Sequence, residues 1–116
     1  MNMEEKKIHE PDRPRGRDQA MLEQVNHEID LLSRHLLVVK AVVRDQPIGI
    51  MKLSELLNLP FHRIRYSLRV LEQLGYIQAS PAGAVATRRA KELLLNLNED
   101  LDQLICHLES MKEEAS

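Results

Sequence analysis

The chain has 116 residues, 43% of them hydrophobic and 29% charged, and a net charge of −2. That is one domain's worth of ordinary soluble composition, enough for a single modest core. With 3% aromatic residues, no Trp and one Cys, the core is expected to be aliphatic, and neither an intramolecular disulfide nor a multi-thiolate metal site can form.

No run approaches the ~20 apolar residues of a membrane span. The opening MNMEEKKIHE places charges where a signal peptide has its apolar stretch. A cytoplasmic protein without membrane association is expected. The small net charge hides a strong segregation. Residues 1–17 carry five basic and four acidic groups, residues 18–59 four and six, residues 60–91 six and one, and residues 92–116 one and seven. Phosphate binding depends on a local positive face rather than on the total. Here the middle of the chain is basic and the C-terminal segment acidic.

In chain order, residues 1–17 hold two prolines, a glycine and mixed charges without apolar periodicity, and read as a disordered arm. From Asp18, a candidate N-cap, the residues Leu22, Val25, Ile29, Leu32, Leu36, Val39 and Val43 step by three and four along one face of a helix that Pro47 must stop. The second half of that helix is apolar nearly all round and should be its buried part. Ile48-Gly49-Ile50 is short and β-prone. A second helix fits Met51 to Leu57 with Leu53, Leu56 and Leu57 inward, and Asn58 suits a left-handed C-terminal position.

Pro60 fits the first turn of a third helix running to Leu74, with Ile64, Leu68, Leu71 and Leu74 along one side and Gly75 as its stop. Tyr76–Ala79 and Ala84–Thr87 read as strands around a Ser80–Gly83 turn. From Arg88 a last helix carries Leu94, Leu97, Leu101, Leu104, Leu108 and Met111, again at steps of three and four.

The order helix, short strand, helix, helix, hairpin, helix is that of a winged helix-turn-helix. The segment LLNLPFHRIRYSLRVLEQLGYI, residues 56–77, resembles the small prokaryotic and archaeal winged helix-turn-helix transcriptional regulators, with the likeness covering roughly residues 36–93. The resemblance implies a winged helix-turn-helix, mainly α with a small β-hairpin, to which the two apolar stripes add long N- and C-terminal helices. Residues 1–17 would form an arm, residues 18–93 a winged-helix DNA-binding domain including the long first helix, and residues 94–116 a C-terminal dimerisation helix. It further implies a sequence-specific regulator, most simply a repressor, acting as a homodimer on double-stranded DNA. Two departures stand out. Pro60 replaces the usual Ser or Thr at the start of the third helix, and the short hairpin has no basic residue at its tip.

On the third helix the apolar face leaves His62, Arg63, Arg65, Tyr66 and Arg69 outward. Such a face fits a major groove, where Arg donates two hydrogen bonds to guanine while other cations hold phosphates. A solvated basic face is the alternative, and Tyr66 suits either the core edge or a phosphate. Arg88, Arg89 and Lys91 open the last helix, where the helix dipole disfavours cations unless a phosphate lies nearby; side chains this long also tolerate the position. Arg13-Pro14-Arg15-Gly16-Arg17 looks like the centre of an A-T hook, but Asp18 replaces the usual proline, and a solubilising tail is the preferred reading.

The two apolar stripes extend beyond what a winged helix needs, and leaving both wet is costly at ~25 cal/mol per Å². A homodimer interface is therefore expected at Leu22, Val25, Ile29, Leu32, Leu94, Leu97, Leu101, Leu104 and Leu108. Cys106, beside this seam, reads as a small buried residue. His35 and His107 could meet across the helical ends, where a satisfied interface histidine is preferred over a metal ligand. No metal-ligand spacing, P-loop, dinucleotide fingerprint or nucleophile elbow is present. Neither enzyme activity, a cofactor nor a metal is expected, and no small-molecule effector is implied. A winged helix used for protein contact in a transcription or replication assembly is the alternative, kept open by the acidic ends and the bare hairpin.

Overall fold

The computed structural model describes residues 19–115, with side chains through Lys112. Among these residues there are five helices and one two-stranded antiparallel hairpin: α1 (Ala20–Asp45), α2 (Ile50–Leu57), α3 (Phe61–Gln73), β1 (Ile77–Ser80), β2 (Gly83–Ala86), α4 (Arg88–Leu95) and α5 (Leu97–Ala115). The chain is thus mainly helical with a small hairpin. Residues 1–17 and the Asp18 cap lie outside the described residues. Among those described, no helix is long and apolar enough to cross a membrane.

Two compact units divide at Asp30–Leu31, and every core residue belongs to the second. The apolar second half of α1 supplies buried Val38, Val39, Ala41 and Val42, whose β-branched and small side chains let neighbouring elements pack closely. Leu53 from α2, Ile64 and Leu71 from α3, Ile77 from β1 and Ala90 from α4 complete the cluster with Ile48. The helix faces differ from expectation at three leucines. On α1 Leu37, expected in the buried half, is 47% exposed. Leu56 and Leu74 are exposed, because α2 presents Leu53 and Leu57 inward and α3 ends with Leu74 as its C-cap.

Local chemistry explains most element ends. Asn58 adopts the left-handed conformation (φ 54°, ψ 47°) and closes α2, with Leu59 N–H donating to Ser54 O at 3.2 Å. Pro60 is the N-cap of α3 rather than its first helical residue, and its carbonyl accepts from Arg63 and Ile64 N–H. Gly75 (φ 87°) ends α3 in a Schellman arrangement: Tyr76 N–H reaches Leu71 O at 2.9 Å and Gly75 N–H reaches Glu72 O at 3.0 Å. The continuous last helix expected from the leucine spacing is interrupted at Asn96, whose backbone and side-chain amides both donate to Glu92 O.

The β-prone segment before α2 does pair. Ile48 forms an antiparallel bridge with Ala84, through Ile48 N–H to Ala84 O (3.1 Å) and Ala84 N–H to Ile48 O (2.8 Å). Gln46 adds a side-chain anchor by accepting from Ala86 N–H at 2.8 Å. This bridge requires Gly83. Its φ is 131°, and a Cβ there would lie 2.6 Å from the Ile48 carbonyl carbon and 2.8 Å from its oxygen. Gly83→Ala is accordingly expected to lose about 1–3 kcal/mol from backbone strain alone. On a domain of this size that lowers the midpoint by roughly 4–8 °C per kcal/mol. A thermal melt identical to that of the native chain would contradict so close an approach.

Candidate nucleic-acid interface

Helix α3 is one-sided in both polarity and burial. Ile64, Ser67 and Leu71 are buried and Leu68 is half-buried, whereas His62, Arg63, Arg65, Tyr66 and Arg69 are exposed. At about 100° per residue, His62, Tyr66 and Arg69 occupy the side opposite the core, with Arg65 on one flank and Arg63 on the other. No acidic residue lies in the first turn, and no side chain caps the helix N-terminus. The positive end of the helix dipole and the cations therefore act in the same direction.

The flank that carries Arg63 is built by residues that the sequence reading did not group. Ser67 is buried beneath α1, and its Oγ accepts from Arg34 Nε at 3.2 Å. The same oxygen lies 2.9 Å from His35 Nδ1. In the tautomer with its proton on Nε2, His35 accepts the hydroxyl proton that Ser67 has left to give. One hydroxyl thereby links two neighbouring α1 side chains to α3. Tyr66 closes the cluster: its ring centroid is 5.9 Å from that of His35 and 5.9 Å from the Arg34 guanidinium carbon. The Tyr66 ring packs on the α1 side chains rather than on the core, and its hydroxyl makes no hydrogen bond among the described residues.

Burial holds the Arg34 guanidinium below its ordinary pKa, the Arg63 charge pushes the same way, and Tyr66 partly offsets both. Neither arginine is in an ion pair among the described residues. A signal for this cluster was present. His35 is in helical register with Val38, Val39 and Val42, and Ser67 with Ile64 and Leu71, so both polar residues sit on core-facing stripes.

At the start of α4 the cations have partners within the chain. Arg89 lies over the Tyr76 ring, 5.3 Å from its centroid, and Arg88 faces Glu92 at 3.6 Å on an exposed helix face. The Thr87 hydroxyl donates to Gly75 O at 2.7 Å instead of capping α4. The hairpin turn, Pro81–Ala82, presents no charge.

The proposed interface stripes are divided. Their inner ends belong to the chain's own packing: Val39 is buried, Leu36, Val43 and Leu94 pack on the core, and Leu97 is only 8% exposed. Leu97 is thus largely taken up within the chain, and Leu94 packs on the core through α4. Leu22, Val25, Ile29 and Leu32 on α1 remain exposed, as do Leu104, Ile105, Leu108 and Met111 on α5, with Leu101 half-buried. Cys106, expected buried, is exposed in the single chain. His35, expected near His107, engages Ser67 and Tyr66. No group of three or more His, Cys, Asp or Glu among the described residues is placed to hold a metal ion.

No family model matches this sequence, and no curated protein matches it significantly.

Proposed function

We propose that this chain is a winged helix-turn-helix regulator that binds double-stranded DNA as a homodimer through α3. The observation that carries the reading is the exposed row His62, Arg63, Arg65, Tyr66 and Arg69 on a helix whose opposite face is fixed in the core and whose first turn holds no acid. A helix so mounted offers an excess of cationic donors, which suits base edges and phosphates in a major groove. Arg65 and Arg69 are the base-reading candidates. Arg88 and Arg89 stand at the margin, since each has a neighbour of its own within the chain.

The uncovered leucines of α1 and α5 supply the dimer contact, and two α3 helices then address half-sites about one turn apart, ~34 Å. Occupying a promoter would make the protein a repressor in the simplest case. It is read as a binding protein rather than an enzyme, without a cofactor.

A gel shift on the DNA upstream of its own gene, with and without excess nonspecific duplex, tests the reading. Arg65→Ala is expected to cost on the order of 1–3 kcal/mol of specific affinity. An unchanged affinity in the folded Arg63→Ala/Arg65→Ala double variant rejects α3 as the reading helix. The uncharged hairpin turn favours a second reading, a winged helix that contacts protein. Absence of any duplex shift at low salt would select it.

A further inference from the structure

Two guanidinium groups, on α1 and α3, share one flank of the fold, and neither is in an ion pair among the described residues. Arg34 is held by its Nε to Ser67 and by its face to Tyr66. Its two terminal nitrogens are therefore oriented by a buried hydroxyl while making no hydrogen bond or ion pair of their own among the described residues. Arg63 lies one helical turn before Ser67 on α3, on the flank that meets Arg34, and is exposed, so the two like charges share that flank. The Tyr66 hydroxyl, 43% of whose residue is exposed, adds a donor with no protein partner among the described residues. Holding like charges together is unfavourable unless an anion neutralises them, and a fork of guanidinium donors matches the oxygens of a phosphate.

We infer that Arg34, Arg63 and the Tyr66 hydroxyl bind one phosphate group of the DNA backbone, with Ser67 and His35 as positioning residues for Arg34. This rests on the DNA-binding reading and refines it. It gives Arg63 the task of backbone anchoring, and it brings into the interface a residue of α1 that lies 33 positions from its hydroxyl partner in sequence. Arg63 and Arg65, two positions apart, then do different work on opposite flanks of one helix. One fixes register on the duplex, and the other reads sequence.

The chemistry recognised is a phosphate oxyanion, which a duplex or free phosphate can each supply. The experiment measures binding of the full chain to a mixed-sequence duplex of about 30 base pairs by anisotropy across a salt series, alongside the 31P line width of inorganic phosphate. That site length covers two half-sites at the expected spacing. Arg34→Gln and Arg63→Gln are each expected to weaken binding roughly tenfold at low salt, equally for every duplex sequence. Each should also reduce the salt slope by about 0.9 per bound copy of the chain. Arg34→Lys, which keeps the charge, is expected to retain the slope. Arg63 is exposed, so its variant reports even if Arg34→Gln lowers stability.

A native chain that binds duplex, with an unchanged slope in folded Arg34→Gln and Arg63→Gln, overturns the anchor and leaves the DNA reading standing. A native chain that binds no duplex but broadens the phosphate line, with the broadening lost in Arg34→Gln, keeps the anion site and overturns the DNA reading. Neither duplex binding nor phosphate broadening overturns both.

Discussion

A chain carrying Leu104→Glu and Leu108→Glu is expected to sediment as a folded monomer where the native chain sediments as a dimer. Both leucines lie on α5, four residues apart, and are 50% and 47% exposed in the single chain. Residues i and i+4 share one helix face, so the pair marks a continuous seam with Leu101 and Met111. Within one chain the glutamates would meet solvent, and exposed substitutions of this kind change stability by roughly 0.5 kcal/mol or less. In a two-fold interface each charge occurs twice and is buried without a partner. The penalty for such burial is several kcal/mol, and each ~1.4 kcal/mol is tenfold in the dissociation constant.

Fold and assembly are thereby separated, which substitution of the half-buried Leu101 does not achieve. A native chain that runs as a compact monomer at micromolar concentration would sink the dimer. The palindromic site would fall with it, because one reading helix has no symmetry to impose.

Local sequence made the elements legible and left their partners largely hidden. Asn58, Pro60 and Gly75 act through the backbone conformations that their own residue types allow, so helix ends could be placed within a residue or so. The buried stretch of α1 was also readable, since an all-round apolar helix segment has no solvent face to offer. What could not be read was tertiary. Ser67 meets Arg34 and His35 across 33 and 32 residues, and periodicity assigns a residue to a face without saying what faces it.

The same gap explains the stripes. Leu94 and Leu97 share heptad spacing with Leu104 and Leu108, yet the first two pack within their own chain and the second two do not. The turn at Asn96 falls between Leu94 and Leu97 and so does not mark the change, which comes within α5 where no sequence signal changes. For the candidate site, the outer face of α3 followed directly from its apolar face. The contribution of α1 did not: register marked His35 as core-facing, but periodicity could not say that Ser67 of α3 would face it and Arg34.

Leu53→Ala is expected to lose about 2–5 kcal/mol of stability, while Leu56→Ala, three residues along the same helix, loses well under half as much. Leu53 is fully buried between α1 and α3 side chains in the central cluster, and its truncation leaves a cavity that close-packed neighbours cannot collapse to fill. Leu56 is 44% exposed, so much of its surface gains nothing from folding. The contrast is informative because both residues were equally apolar in sequence and both lay within reach of one inward face.

An eight-residue helix makes little more than two turns, and its direction is set by its ends. Gly49 and the left-handed Asn58 fix those ends and turn Leu53 and Leu57, i and i+4, toward α1 and α3. Denaturant titration of the two variants decides the matter. Equal losses would mean that α2 is rotated and that Leu56 shares the core. Because α3 follows after only three residues, such a rotation would also change which of its side chains face outward, and the assignment of Arg63 and Arg65 to opposite flanks would have to be redrawn.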